Sequence, residues 1–180
     1  FEYTFFNKLL IKDLLIKDKN NDTLLYSRKV TAGFRRLDFR NRIIKLSHVE
    51  MTDPSVGLIT DSTGIMNLTW YLNLLGSKND TIKNVSTDLS INQISIKDGK
   101  FLLLNKIAAG SKNPVDFNNL HLSDITGKIE NLRVHDDTTR FGISSLAFRE
   151  SGGFTVKDLS SKILLSPNAY FIDNLLINCD

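Results

Sequence analysis

A single cysteine, Cys179, is all the chain carries, which excludes an internal disulfide framework and any cysteine-based zinc cluster. It leaves the redox compartment open, because proteins of oxidising compartments can do without disulfides. Long apolar runs are missing as well. The densest, Phe101-Leu102-Leu103-Leu104, falls far short of the ~18–20 residues of a membrane-spanning helix. Charge of one sign is scarce: a net +3 over 180 residues is a mild basic bias and makes no case for nucleic acid by itself. The opening residues lack the basic region, apolar stretch and cleavage site of a signal peptide, and no initiator Met precedes them. The chain begins and ends in strand-like sequence, as expected of a piece of something longer.

Catalytic signatures are absent too. His48, His121 and His135 are far apart and have no metal-ligand spacing. The first two lie between apolar neighbours in a strand pattern, so they are expected to point away from the apolar face. Asp61-Ser62-Thr63-Gly64 reads as a hairpin turn, since Asp, Ser and Gly are turn residues. Asp136-Asp137 also reads as a turn, because adjacent strand residues face opposite sides and cannot work as an acid–base pair. There is no nucleophile elbow, no phosphate-cradling glycine loop and no H-E-x-x-H. The expectation is a protein that is not an enzyme and carries no cofactor, no metal and no catalytic residue.

What the sequence does contain is one spacing repeated: apolar, two mostly polar residues, apolar, any residue, apolar. Seven full copies start at Ile11, Leu46, Ile91, Phe117, Ile129, Ile143 and Ile172, and a partial one at Val156. An acidic residue commonly follows two places on, as in Asp18, Asp53, Asp98, Asp124, Asp136 and Glu150. The last two apolar positions obey the strand period and share a face. The step of three breaks that period by one residue, which a strand absorbs as a bulge that bends it and increases its twist. A bend repeated at one place in each strand describes a curved sheet with a single apolar face.

The copies from 117 to 172 follow one another every 12 to 16 residues, so the C-terminal half reads as an antiparallel meander. Turn signals fall at Asp98-Gly99, Asp136-Asp137, Ser151-Gly152-Gly153 and Pro167-Asn168. Between Thr23 and Phe34, Leu24, Tyr26, Val30, Ala32 and Phe34 alternate onto one face, broken only by Arg28. Phe34 to Ile43 reads as a basic connector. Leu68, Tyr71, Leu72 and Leu75 fall at helical spacing, with Asn67 to cap and Gly76 to stop, predicting one short helix near 68–75. The organisation expected is an N-terminal segment 1–76, a linker 77–84 and a C-terminal segment 85–180. About eleven strands at roughly 4.8 Å spacing would extend on the order of 50 Å.

Arg28, Lys29, Arg35, Arg36, Arg40, Arg42 and Lys45 form the one charge cluster, opposed locally by Asp38 alone. Three readings stand: nucleic acid, for which interleaved stacking aromatics are lacking; anionic lipid headgroups; and a solvated sheet edge where cations discourage strand addition. Arg28, Arg35, Arg36, Arg40 and Arg42 are the candidate headgroup or edge contacts.

The order of motifs resembles the TamB/AsmA family of translocation-and-assembly proteins from double-membrane bacteria. Leu14-Leu15-Ile16-Lys17-Asp18 followed by Asn21-Asp22-Thr23-Leu24-Leu25-Tyr26 is similar to the family's opening strand pair. Leu46-Ser47-His48-Val49-Glu50-Met51, then Asp61-Ser62-Thr63-Gly64, resembles its second element. Ile94-Ser95-Ile96-Lys97-Asp98-Gly99-Lys100-Phe101, Phe117 to Ile125, and Leu146 to Phe154 resemble its recurring strand pairs. The resemblance implies an all-β fold, a curved antiparallel sheet forming a long U-shaped apolar groove. It implies a periplasmic location, with an inner-membrane anchor in the full-length protein or association with the outer membrane. The implied role is lipid transport between the two membranes or outer-membrane protein assembly. The implied partners are a phospholipid or other amphiphile, and an outer-membrane assembly protein met through parts outside this chain; nucleic acid is not among them.

The residues fit that expectation. A lipid tail crossing water exposes methylenes at about 0.8 kcal/mol each, on the order of 12 kcal/mol for a sixteen-carbon chain. Such a path needs a continuous apolar lining and no catalytic group. The motif nominates Leu14, Ile16, Leu46, Val49, Met51, Ile94, Ile96, Leu120, Leu122, Leu132, Val134, Leu146, Phe148, Leu175 and Ile177 as that lining. The competing architecture is a structural or adhesive β-solenoid whose apolar face closes into a dry core, although the repeat spacing is too irregular for coils of fixed length. A carbohydrate-binding β-sandwich would expose platform aromatics, and the one Trp, Trp70, falls in the helix candidate.

Overall fold

The computed structural model describes residues 2–4, 7–38, 40–69, 88–108, 116–135 and 138–180. Nine strands form one curved, unclosed sheet in strict sequence order. They are β1 (Glu2–Thr4), β2 (Lys8–Lys17), β3 (Thr23–Asp38), β4 (Ile43–Thr60), β5 (Asp88–Asn105), β6 (Asn119–His135), β7 (Thr138–Glu150), β8 (Thr155–Ser166) and β9 (Ala169–Cys179). All neighbours pair antiparallel except β4 and β5, which run parallel. The sheet is therefore mixed, not purely antiparallel. A parallel pair requires the chain to cross back over the sheet, and the 27 residues from 61 to 87 are long enough to do so.

That crossover begins with the turn read from the sequence. Asp61 Oδ1 accepts the Thr63 and Ile65 amides at 2.8 and 3.1 Å, Gly64 takes a φ of +86°, and Met66 pairs back with Thr60. Asn67, expected to cap a helix, is instead buried against β4. Its Oδ1 accepts the Ile59 amide and its Nδ2 donates to the Gly57 carbonyl. Leu68 and Thr69 have helical backbone; the remainder of the expected helix and the 77–84 linker lie outside the described residues. The segments on either side of that linker meet as β4 and β5 within one sheet.

Among the described residues nine strands stand where about eleven were expected of the chain, and they are longer. Eight gaps at ~4.8 Å make the sheet about 38 Å across. Two readings account for the difference. Asp98-Gly99 is not a turn: β5 runs through it, with Asp98 in the left-handed region at φ 57°. Phe34 to Asp38 is not a connector but the end of β3, and Arg40, Asn41 and Arg42 turn into β4. A short polar side chain tolerates the left-handed region, so an Asp bends a strand without ending it. The turns at Ser151-Gly152-Gly153 and Pro167-Asn168 are present as read, while Asp136 and Asp137 lie outside the described residues.

Left-handed residues recur in register. Asp13, Asp53, Asp98 and Asp124 all have φ between 49° and 57°; the first three fall on one line across β2, β4 and β5, with Arg28 of β3 between the first two, and Asp124 lies within two residues of it on β6. Ladder pairing lapses along this line: Lys12 pairs Lys29 and Leu14 pairs Ser27, but Asp13 and Arg28 do not pair. A second line runs through Ser47, Asn92 and Asn131, and Asn174 marks it again on β9. On β4 and β5 the two lines are six residues apart, from 47 to 53 and from 92 to 98. The sequence motif is thus explained: its step of three spans one crease, and the acidic residue two places on often makes the other. The copy at Phe117 is an exception, since Phe117 precedes β6 in a turn tied by Asp116 and is 75% exposed.

Candidate functional site

Residues directly opposite in neighbouring strands point to the same face. The register therefore assembles transverse rows. Between the creases, Leu9, Ala32, Val49, Ile94, Ile129 and Ile143 form one row, and Ile11, Val30, Met51, Ile96, Gly127 and Leu146 the next. Beyond the aspartate crease lie Ile16, Leu25, Val56, Phe101 and Leu122, followed by Leu58, Leu103 and Leu120. Beyond the other crease lie Phe34, Leu46, Ile91 and Leu132, then Leu37, Ile44, Leu89 and Val134. Phe148 opposes Val156, and Leu159 opposes Ile177.

The rows on either side of a crease share a face where this can be tested directly. A Cβ placed on Gly99 would meet Ile96 Cγ2 at 3.0 Å, Ile125 Cβ at 3.2 Å and Pro54 Cγ at 3.3 Å. Ile96 and Gly99 are three apart, so the left-handed Asp98 between them has carried the face across the step. Gly127 is needed in the Ile96 row because a Cβ there would run into the Ser145 carbonyl and the Leu146 backbone.

Of the residues nominated from the motif, Leu14, Ile16, Leu46, Val49, Met51, Ile94, Ile96, Leu120, Leu122, Leu132, Val134, Leu146 and Phe148 are half-buried. Leu175 and Ile177, on the outermost strand, are exposed, each at 51%. Buried hydrophobic side chains among the described residues are few: Leu24, Val30, Ala32 and Val156. Among the described residues no second layer packs on the sheet, and its apolar rows are half-buried. Val56, Leu58, Leu89, Phe101 and Leu103 belong to those rows although the motif did not nominate them; simple alternation within β4 and β5 was their signal. The alternation read in β3 needs correction. Leu25 opposes Val56 and Val30 opposes Met51, so the parity switches at Arg28, and Tyr26 opposes Ser55 on the other face.

The opposite face is mostly polar, except beyond the aspartate crease, where Leu15, Tyr26, Ile59, Leu102 and Leu104 lie on it. His48 opposes Gln93, and its ring Nδ1 lies 3.0 Å from Ser47 Oγ; His121 Nε2 lies 3.0 Å from Asn119 Oδ1. At the aspartate crease Arg28 Nε contacts Asp53 Oδ2 at 2.6 Å, and Arg149 contacts Asp124 at 3.3 Å. The Tyr26 hydroxyl donates to Asp13 at 3.0 Å, and that hydrogen bond holds the phenol above its ordinary pKa. Among the described residues no group of three or more metal-ligating side chains comes together, and no helix is long and apolar enough to cross a membrane.

The basic cluster does not form as read. Arg28 and Arg36 are eight residues apart in one strand, about 26 Å, so Arg28 belongs to the crease and not to the cluster. Arg35 and Arg36 lie on β3 and Arg40 and Arg42 in the turn that follows it. β3 and β4 are both interior strands, so these cations do not guard a free strand edge.

No family model matches the chain, and no curated protein matches it.

Proposed function

We propose that this chain is a segment of a hydrophobic conduit for lipid, with the acyl chain lying on the apolar rows and the curved sheet forming a U-shaped groove around it. One observation carries the reading: apolar side chains line up in register across β2 to β6, and at Gly99 across the aspartate crease, with no second layer packed on them among the described residues. A globular domain covers such a face, and an apolar face left open marks a binding surface. The two creases supply the bends that a groove needs, and a lipid path requires no catalytic group. The likeness of motif order to the TamB/AsmA family extends the proposal to a periplasmic protein anchored in the inner membrane. Its role is then lipid transfer toward the outer membrane, or assistance to outer-membrane protein assembly.

The solenoid alternative is less well supported. A solenoid stacks coils, whereas seven of the eight strand pairs here are antiparallel and the sheet does not close. The test is native mass spectrometry and organic extraction of the purified protein. Co-purifying phospholipid in a defined ratio supports the conduit. A protein that carries no lipid, and takes none up from detergent–lipid mixtures, overturns it.

A further inference from the structure

The register brings together cations that are up to 104 residues apart in the sequence. Arg36 opposes Lys45, Lys45 opposes Ser90, Ser90 opposes Arg133, and Arg133 opposes Arg140. These five residues form one row across β3 to β7 on the polar face, spanning four interstrand gaps, or about 19 Å. Arg36 pairs with Asp38 at 3.4 Å and Lys45 with Asp88 at 2.9 Å. Arg133 donates to neutral acceptors, the Leu132 carbonyl at 3.0 Å and Asn92 Oδ1 at 3.3 Å. Arg140 is exposed and no carboxylate pairs with it among the described residues.

Like charges directly opposite one another in a sheet are destabilising. Two such pairs, Arg36 with Lys45 and Arg133 with Arg140, stand in one row. Arg35, Arg40 and Arg42 continue the positive charge around the adjoining turn. Counting Asp136 and Asp137 of the β6–β7 connection by sequence, this end of the sheet carries seven cations against four anions. The other end, beyond the aspartate crease, is balanced.

We propose that this row docks the protein onto an anionic lipid bilayer surface. The far end of the row decides for a membrane over nucleic acid. Arg140 opposes Leu164, and Leu164 opposes Phe171, which is 59% exposed. A line of cations ending in an exposed aromatic side chain is the pattern of an interfacial anchor: charge meets headgroups and the ring enters the headgroup boundary. The row lies on the face opposite the proposed conduit, and the inference stands whether or not that face carries lipid.

The test is co-sedimentation of the purified protein with phosphatidylcholine vesicles, with and without phosphatidylglycerol, at low and at physiological salt. Binding is expected with phosphatidylglycerol and not without it, and it weakens as salt shortens the screening length. The variants R133Q/R140Q and R36Q/K45Q each lower the affinity by about twenty-five-fold, the product of about fivefold for each charge removed. K100Q/K106Q, the same charge change at the other end of the sheet, leaves binding within about twofold. If R133Q/R140Q fails to fold, R36Q/K45Q alone decides. Equal binding to both vesicle types, equal losses in all three variants, or tighter binding to a short oligonucleotide than to the anionic vesicles would overturn the proposal.

Discussion

Ser27 Oγ lies 3.0 Å from the carbonyl oxygen of Thr52, the residue immediately before the left-handed Asp53. Ser161 repeats the relationship at the other crease, 3.1 Å from the carbonyl of Asp173, which precedes the left-handed Asn174. Both serines are buried. A hydroxyl supplied by the neighbouring strand thus satisfies a carbonyl at the point where ladder pairing lapses.

Ser27→Ala is expected to cost about 1–3 kcal/mol, the penalty of a buried acceptor left without its donor. Urea denaturation measures it. A loss below about 0.5 kcal/mol would show that water or a relaxed ladder satisfies Thr52 equally well.

The creases make a second prediction. A left-handed backbone costs an ordinary L-residue roughly 1–2 kcal/mol, and glycine nothing. Asp98→Gly should leave stability within about 1 kcal/mol of the parent, whereas Asp98→Val, β-branched, should lose about 2 kcal/mol or more. Equal stabilities for the two variants would mean that φ at this position is not held positive in solution.

These contacts mark how far the sequence could be read. The step of three around Ser47, Asn92 and Asn131 announced a bend because a broken period is a local property. Asp98-Gly99 was misread because the left-handed preference that makes a turn also makes a crease, and nothing local separates the two. The cationic row was invisible: whether Arg133 stands beside Arg140 and in line with Lys45 depends on register, which is set by pairing over a hundred residues. The parallel pairing of β4 with β5 was hidden for the same reason.

The Asp61 carboxyl is held below the ordinary carboxylate range, first by the Thr63 hydroxyl and then by the Ile65 and Thr63 amides. Its folded pKa lies below its unfolded value. The turn stability it contributes is therefore fully present above the unfolded value, about 3.9, and is lost as pH falls through the lowered folded value. Hydrogen exchange at the Ile65 amide should accelerate relative to a neutral peptide over that acid window. Asp61→Asn should show faster exchange already at neutral pH and no acid transition; an unchanged Asn variant would remove the carboxylate from the account.

His48, His121 and His135 each replaced by alanine should leave lipid uptake unaltered, since His48 and His121 face away from the apolar rows. Abolished uptake in a folded single variant would reopen a chemical role for that imidazole.

The most direct test of the conduit is titration of a fluorescent phospholipid against Ile96→Arg, a change in the middle of the row that joins Met51 to Gly127. On an open face the long side chain reaches water, so the variant should fold with a urea midpoint close to the parent's. Its lipid affinity should nevertheless fall by at least about tenfold, because a charge now interrupts the apolar path. Circular dichroism on the same sample separates folding from binding. A folded Ile96→Arg protein that takes up lipid like the parent would contradict the account, and so would one that unfolds as a closed, dry core would.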